Sequence, residues 1–89
     1  MATENYLDHP TLGLLFSISL VEENRELYTT LYAQRLFFLV SNRSEGYEFE
    51  PISRTDARMI VENRLRVLRR SGQLKEYDQL QAIYKRTFQ

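Results

Sequence analysis

Apolar positions along the chain recur with period two as far as about residue 53 and with a helical period beyond it. Leu14, Phe16, Ile18 and Leu20 alternate with Leu15, Ser17, Ser19 and Val21. Successive strand side chains point to opposite faces, so this spacing predicts a strand over 14–21 with one strongly apolar face. Glu22-Glu23-Asn24-Arg25 is polar and predicts a turn, with Asn24 able to take positive φ. Alternation resumes over 27–33, with Tyr28, Thr30 and Tyr32 on one side and Leu27, Thr29 and Leu31 on the other. A third strand over 35–41 is apolar on both sides, Leu36, Phe38 and Val40 opposite Phe37 and Leu39. That is expected of an interior strand covered on both faces, or with one face used for binding. Segment 42–46 reads as a loop. Tyr47 and Phe49 then alternate with Glu48 and Glu50 in a fourth strand with a wet face, and Pro51 limits its pairing. Four short antiparallel strands at this spacing predict a small curled sheet or barrel.

Past Ile52 the period becomes helical. Ser53 or Thr55 is placed to cap a first helix, and Ser53-Arg54-Thr55-Asp56 resembles a capping box with aspartate in the usual glutamate position. Ala57, Ile60, Val61, Arg64, Leu65 and Leu68 form one stripe, interrupted by the arginine. Arg58, Glu62 and Arg66 make a charged row at four-residue spacing on another face. Gly72 is a natural stop. Leu74, Tyr77, Leu80, Ile83, Tyr84 and Phe88 form the stripe of a second helix. The short Ser71-Gly72-Gln73 link predicts two antiparallel neighbours, a helical hairpin resting partly on the sheet. The fold class expected from pattern is therefore α+β.

Length and composition narrow the functional classes. Eighty-nine residues make one domain with a modest core, too small for a doubly wound dinucleotide-binding fold or a barrel enzyme. With 43% hydrophobic and 27% charged residues the chain is globular. It has no cysteine, hence no disulfide framework, thiolate metal site or cysteine nucleophile. The longest apolar-rich run, 12–21, falls short of the roughly 20 residues that span a bilayer. No basic segment precedes an apolar one at the start, so no signal peptide is expected. These features predict a soluble, cytoplasmic protein that does not engage membranes.

The net charge of zero hides two opposite halves. Residues 1–53 carry three bases and eight acids, whereas 54–89 carry nine bases and four acids. Such asymmetry suggests surfaces for different partners or halves that attract each other; the plainer alternative is a solvated basic helical face. Ten of the twelve bases are arginine, whose planar fork suits interfaces.

Catalytic signals are poor. The single histidine, His9, lies beside Pro10 and is expected to be a surface or capping residue. Glu22 and Glu23 would point to opposite faces if they lay in a strand, and Thr29-Thr30 has no neighbouring base. Gly13, Gly46 and Gly72 are isolated and make no phosphate-cradling loop. No cofactor or direct small-molecule ligand is expected, and the chain does not read as an enzyme. The aromatics say more, since eight of eleven lie in 1–53. Tyr28 and Tyr32 share a strand face with polar Thr30 and are expected to be partly exposed, as in a binding surface, or else to pack under the helices.

Several runs resemble a known family. The opening Glu4-Asn5-Tyr6-Leu7-Asp8-His9-Pro10-Thr11-Leu12-Gly13-Leu14-Leu15 is similar to the N-terminus of the cyanobacterial PII-interacting protein X family, PipX. So are Leu31-Tyr32-Ala33-Gln34-Arg35-Leu36-Phe37-Phe38-Leu39-Val40, Arg54-Thr55-Asp56-Ala57-Arg58, Glu62-Asn63-Arg64-Leu65-Arg66, Leu68-Arg69-Arg70-Ser71-Gly72 and Glu76-Tyr77-Asp78-Gln79-Leu80-Gln81. The resemblance covers the whole chain. Departures fall at Leu12, where phenylalanine is expected, at Phe16-Ser17, and in 41–47.

The resemblance implies a Tudor-like antiparallel β domain over 1–53, which binds partners, followed by two C-terminal helices over 54–89. It implies a non-enzymatic adaptor in nitrogen and carbon regulation. The PII trimer would hold the adaptor through its T-loops when 2-oxoglutarate is scarce. The transcription regulator NtcA, in its 2-oxoglutarate-bound form, would take it and be coactivated when 2-oxoglutarate is plentiful. Carried over by motif, the shared contact residues are Tyr32 with Gln34, Arg35, Leu36 and Phe38, and Tyr6 and Glu4 in addition. The basic cluster Arg66, Arg69 and Arg70 is expected to meet a third body, such as RNA polymerase or another transcription regulator. The protein alone is expected to be monomeric. The alternative from residues alone is a Tudor-like nucleic-acid-binding module using the basic helices.

Overall fold

The structure, a computed structural model, describes residues 6–30 and 36–88. Five strands, β1 (Tyr6–His9), β2 (Gly13–Glu22), β3 (Arg25–Thr30), β4 (Phe37–Arg43) and β5 (Gly46–Ile52), are followed by helices α1 (Arg54–Arg70) and α2 (Leu74–Phe88). The strands form one antiparallel sheet in chain order. This is the expected α+β architecture with one strand more than the periodicity revealed. β1 is four residues long with Leu7 as its only aliphatic, too short to display an alternation.

Two-residue turns at Glu23-Asn24 and Ser44-Glu45 set the register of the β2–β3 and β4–β5 hairpins. The expected loop over 42–46 is correspondingly tighter. Asn42 and Arg43 stay in β4, and Gly46 takes φ 123°, which its missing Cβ allows. Pro51 lies near the end of β5, an outermost strand of the sheet, where it costs no interior ladder bond.

β2 does not keep a single apolar face. The register slips between Ser17 and Ser19, so that Ile18 is an extra residue, and a second irregularity follows between Leu20 and Glu22. Bulges of this kind bend a strand and reset its alternation. Leu15 and Ile18 are buried in different clusters, Val21 packs on the core, and Leu20 is exposed.

The bend curls the sheet into a shape with two cores. On the helical side, Ile18, Leu27, Phe37 and Leu39 pack against Ala57, Val61, Leu68, Leu80 and Phe88. On the other side, Leu15, Tyr28, Phe38 and Val40 pack with Leu7 and Phe49. β4 therefore buries both faces, as its doubly apolar sequence predicts. Tyr28 corrects an expectation: it is only 6% exposed, because the curl carries β1 across its face of the sheet.

Ser53 caps α1, its hydroxyl accepting from the Asp56 N–H at 3.0 Å. The helix ends in a Schellman arrangement: Gln73 N–H donates to the Leu68 carbonyl, Gly72 N–H to that of Arg69, and Gly72 takes φ 77°. The chain reverses there into α2. Two anchors hold α2. Phe88 stacks on Phe37 with ring centroids 5.4 Å apart, under the Arg54 guanidinium. Tyr84 Oη donates to Glu62 Oε2 at 2.6 Å, and Arg58 Nε is 3.2 Å from both. Leu74, expected on the buried stripe, is exposed at the start of α2.

Candidate partner-binding surface

β3 ends at Thr30 and β4 begins at Phe37. Three bonds join the end of β3 to Leu36, the residue before β4. Thr30 N–H donates to the Leu36 carbonyl, Leu36 N–H donates to Thr30 Oγ1, and Thr29 Oγ1 donates to the Leu36 carbonyl, each at 3.0 Å. Two β-branched hydroxyl residues side by side thus serve as a clasp between the end of β3 and Leu36.

The register runs Tyr6, Phe16, Thr29 and Phe37 in one row across four strands. Within that row Thr29 and Phe37 adjoin the Thr30–Leu36 bonds, and Tyr6 stands at the β1 end. Tyr6 is exposed with its ring 5.7 Å from Phe16, and Leu36, beside the bonds to Thr30, is 43% exposed. Phe38 is buried, with the His9 ring 5.2 Å away, and backs the surface from beneath. Of the other candidate contact residues, Glu4, Tyr32, Gln34 and Arg35 lie outside the described residues.

His9 caps, as its position beside Pro10 predicts. Its Nδ1 accepts from the backbone N–H groups of Thr11 and Leu12, each at 3.1 Å, and this folds the β1–β2 turn. Its ring also lies 5.0 Å from Phe49, edge-on, joining the two outermost strands across the curl. Residue pattern gave no sign of that second role, since it depends on a strand too short to recognise.

Electrostatic shifts fall on Tyr28 in the sheet and on Glu62 in α1. Burial pushes the Tyr28 hydroxyl above its ordinary 10.0; Glu26 and Tyr47 add to the rise and Ser17 opposes it. The Tyr84 hydroxyl, helped by Arg58, holds the Glu62 carboxyl below its ordinary 4.5. On the helices, Arg66, Arg69 and Arg70 are all exposed, Arg66 hydrogen-bonded to Asn63 on its own helix. Among the described residues no group of three or more histidine or acidic side chains is placed to hold a metal ion, and no helix is long and apolar enough to cross a membrane.

A curled antiparallel sheet with an exposed tyrosine and leucine, followed by a basic helical hairpin, is the α+β frame that carries these candidate contacts. The family PII-interacting protein X, PipX, matches residues 3–88, and the chain belongs to that family. No curated protein matches the chain.

Proposed function

We propose that the protein is a non-enzymatic adaptor and transcriptional coactivator, acting in the cytoplasm, that passes between the PII signal protein and 2-oxoglutarate-bound NtcA. The observation that carries this reading is the match to the PII-interacting family over residues 3–88. Residues 1–53 act as the partner-binding unit and 54–89 as a second unit with a separate contact. Tyr32, Gln34, Arg35 and Leu36, with Tyr6 and Glu4, form the shared patch, and Phe38 supports it. The bonds between Thr30 and Leu36 support the reading by holding together two residues that flank Tyr32 in sequence.

The effector need not touch this chain. If 2-oxoglutarate weakens PII's hold and strengthens NtcA's, mass action moves the adaptor, and the shift is limited by the difference between the two affinities. Tyrosine suits a surface with two complements, since it combines a large rigid area with a hydroxyl. The Arg66, Arg69 and Arg70 cluster, left outside the shared patch, meets a third body such as RNA polymerase.

The experiment is co-purification with PII across 2-oxoglutarate and ATP or ADP. Retention with ADP and release on adding 2-oxoglutarate with ATP is the expected result. Failure to bind PII under any of these conditions sinks the proposal.

A further inference from the structure

Beside the Glu23-Asn24 turn, the curl leaves a cleft of about 340 Å³. Tyr6, Tyr28 and Tyr47 line it, together with Glu23, Glu26 and Asn42. The volume is near the lower end for small-ligand pockets and suits one long side chain.

The charge in this cleft is one-sided. Glu26 is half-buried, and its Oε2 accepts from Ser17 Oγ at 2.7 Å, which fixes the carboxylate beside Tyr28. Among the described residues neither Glu26 nor Glu23 has a cationic partner. The two arginines nearest in sequence are engaged elsewhere. Arg25 pairs with Glu22 at 3.2 Å and Glu50 at 3.6 Å, and Arg43 pairs with Glu48 at 3.2 Å. Among the described residues no base lines the cleft. A partly desolvated carboxylate without a counter-charge favours a cation, and tyrosine rings offer a cation their faces.

We infer that this cleft receives an arginine side chain presented by a protein partner, its guanidinium held between the Glu26 carboxylate and the tyrosine rings. Arginine fits better than lysine because a planar, weakly hydrated group stacks on rings while forking to a carboxylate. The inference is separate from the PII reading, since it does not depend on which protein carries the arginine.

The test is an amide NMR titration of the whole chain with N-acetyl-Gly-Arg-Gly-amide. The matching peptide with citrulline, which keeps the planar shape and loses the charge, is the control. Saturable shifts at Glu26, Tyr28, Asn42 and Tyr47 are expected with the arginine peptide. About tenfold weaker binding is expected for the citrulline peptide, and for the arginine peptide on Glu26→Gln, a substitution that keeps an oxygen for Ser17. The Glu26→Gln spectrum reports whether the fold is intact; Glu23→Gln, on an exposed turn residue, gives a second carboxylate variant. Equal binding of the two peptides overturns the inference. So does an unchanged affinity in folded Glu26→Gln, or shifts confined to the helices.

Discussion

Phe88→Ala tests what keeps α2 on the sheet. Phe88 is only 6% exposed, stacks on Phe37 and lies under the Arg54 guanidinium. Its truncation removes roughly 1.5–3 kcal/mol of burial, about 0.5–1.5 kcal/mol of ring pairing and about 0.5–1 kcal/mol of cation–π attraction. Phe→Ala in a core typically costs about 3–5 kcal/mol. The last helical turn can relax around the gap, so we expect about 3 kcal/mol. For a chain of this size that corresponds to a fall in Tm of roughly 12–24 °C. Thermal melting followed by circular dichroism reads the loss, and amide exchange locates it. Protection should fall most along α2, while β3 and β4 keep theirs below the transition. The exposed Met59, changed to alanine, is the control and should shift stability by less than about 0.5 kcal/mol. A Phe88→Ala melt indistinguishable from the parent would refute the docking of α2 through this ring.

Three further outcomes follow from the same geometry. The Glu62 carboxyl is held below 4.5 by Tyr84, so its contribution is complete above that value and is lost as pH falls through the lowered one; carbon-detected titration should show the Glu62 pKa rising in Tyr84→Phe, and no rise counts against the bond. Tyr28 is raised above 10.0, so its neutral form favours the folded state below that pH, and the advantage disappears as pH climbs through the raised value; absorbance at alkaline pH should contain a late-titrating component that is missing in Tyr28→Phe. Reversing the charges of Arg66, Arg69 and Arg70 together should weaken transcription activation while leaving PII binding intact, and equal loss of both refutes a separate third contact.

Sequence pattern revealed much of this architecture for physical reasons that can be named. The helices were legible down to their caps, because Ser53 and Gly72 act through local backbone geometry. β4 was legible because burial on two faces leaves a doubly apolar run. β1 was not, since its stability comes from pairing with β2 and from the His9 ring against Phe38 and Phe49, contacts that a four-residue run cannot advertise. The burial of Tyr28 was missed for the same reason: Thr30 beside it suggested a wet face, and only the curl covers it. Ile18 shows the limit of periodicity, because a bulge leaves no mark in the alternation it interrupts. Of the contact patch, the family motif supplied the residues; composition and spacing supplied only a concentration of tyrosine in the acidic half.

The most direct test of the exchange at the centre of the proposed function is a competition on immobilised PII. The protein is loaded with ADP present, and NtcA is then added with 2-oxoglutarate and ATP. The predicted result is that the protein leaves PII and elutes with NtcA, and that Tyr32→Ala, still folded, binds neither. Retention of PII, NtcA and this protein together in one stable complex contradicts a single shared surface.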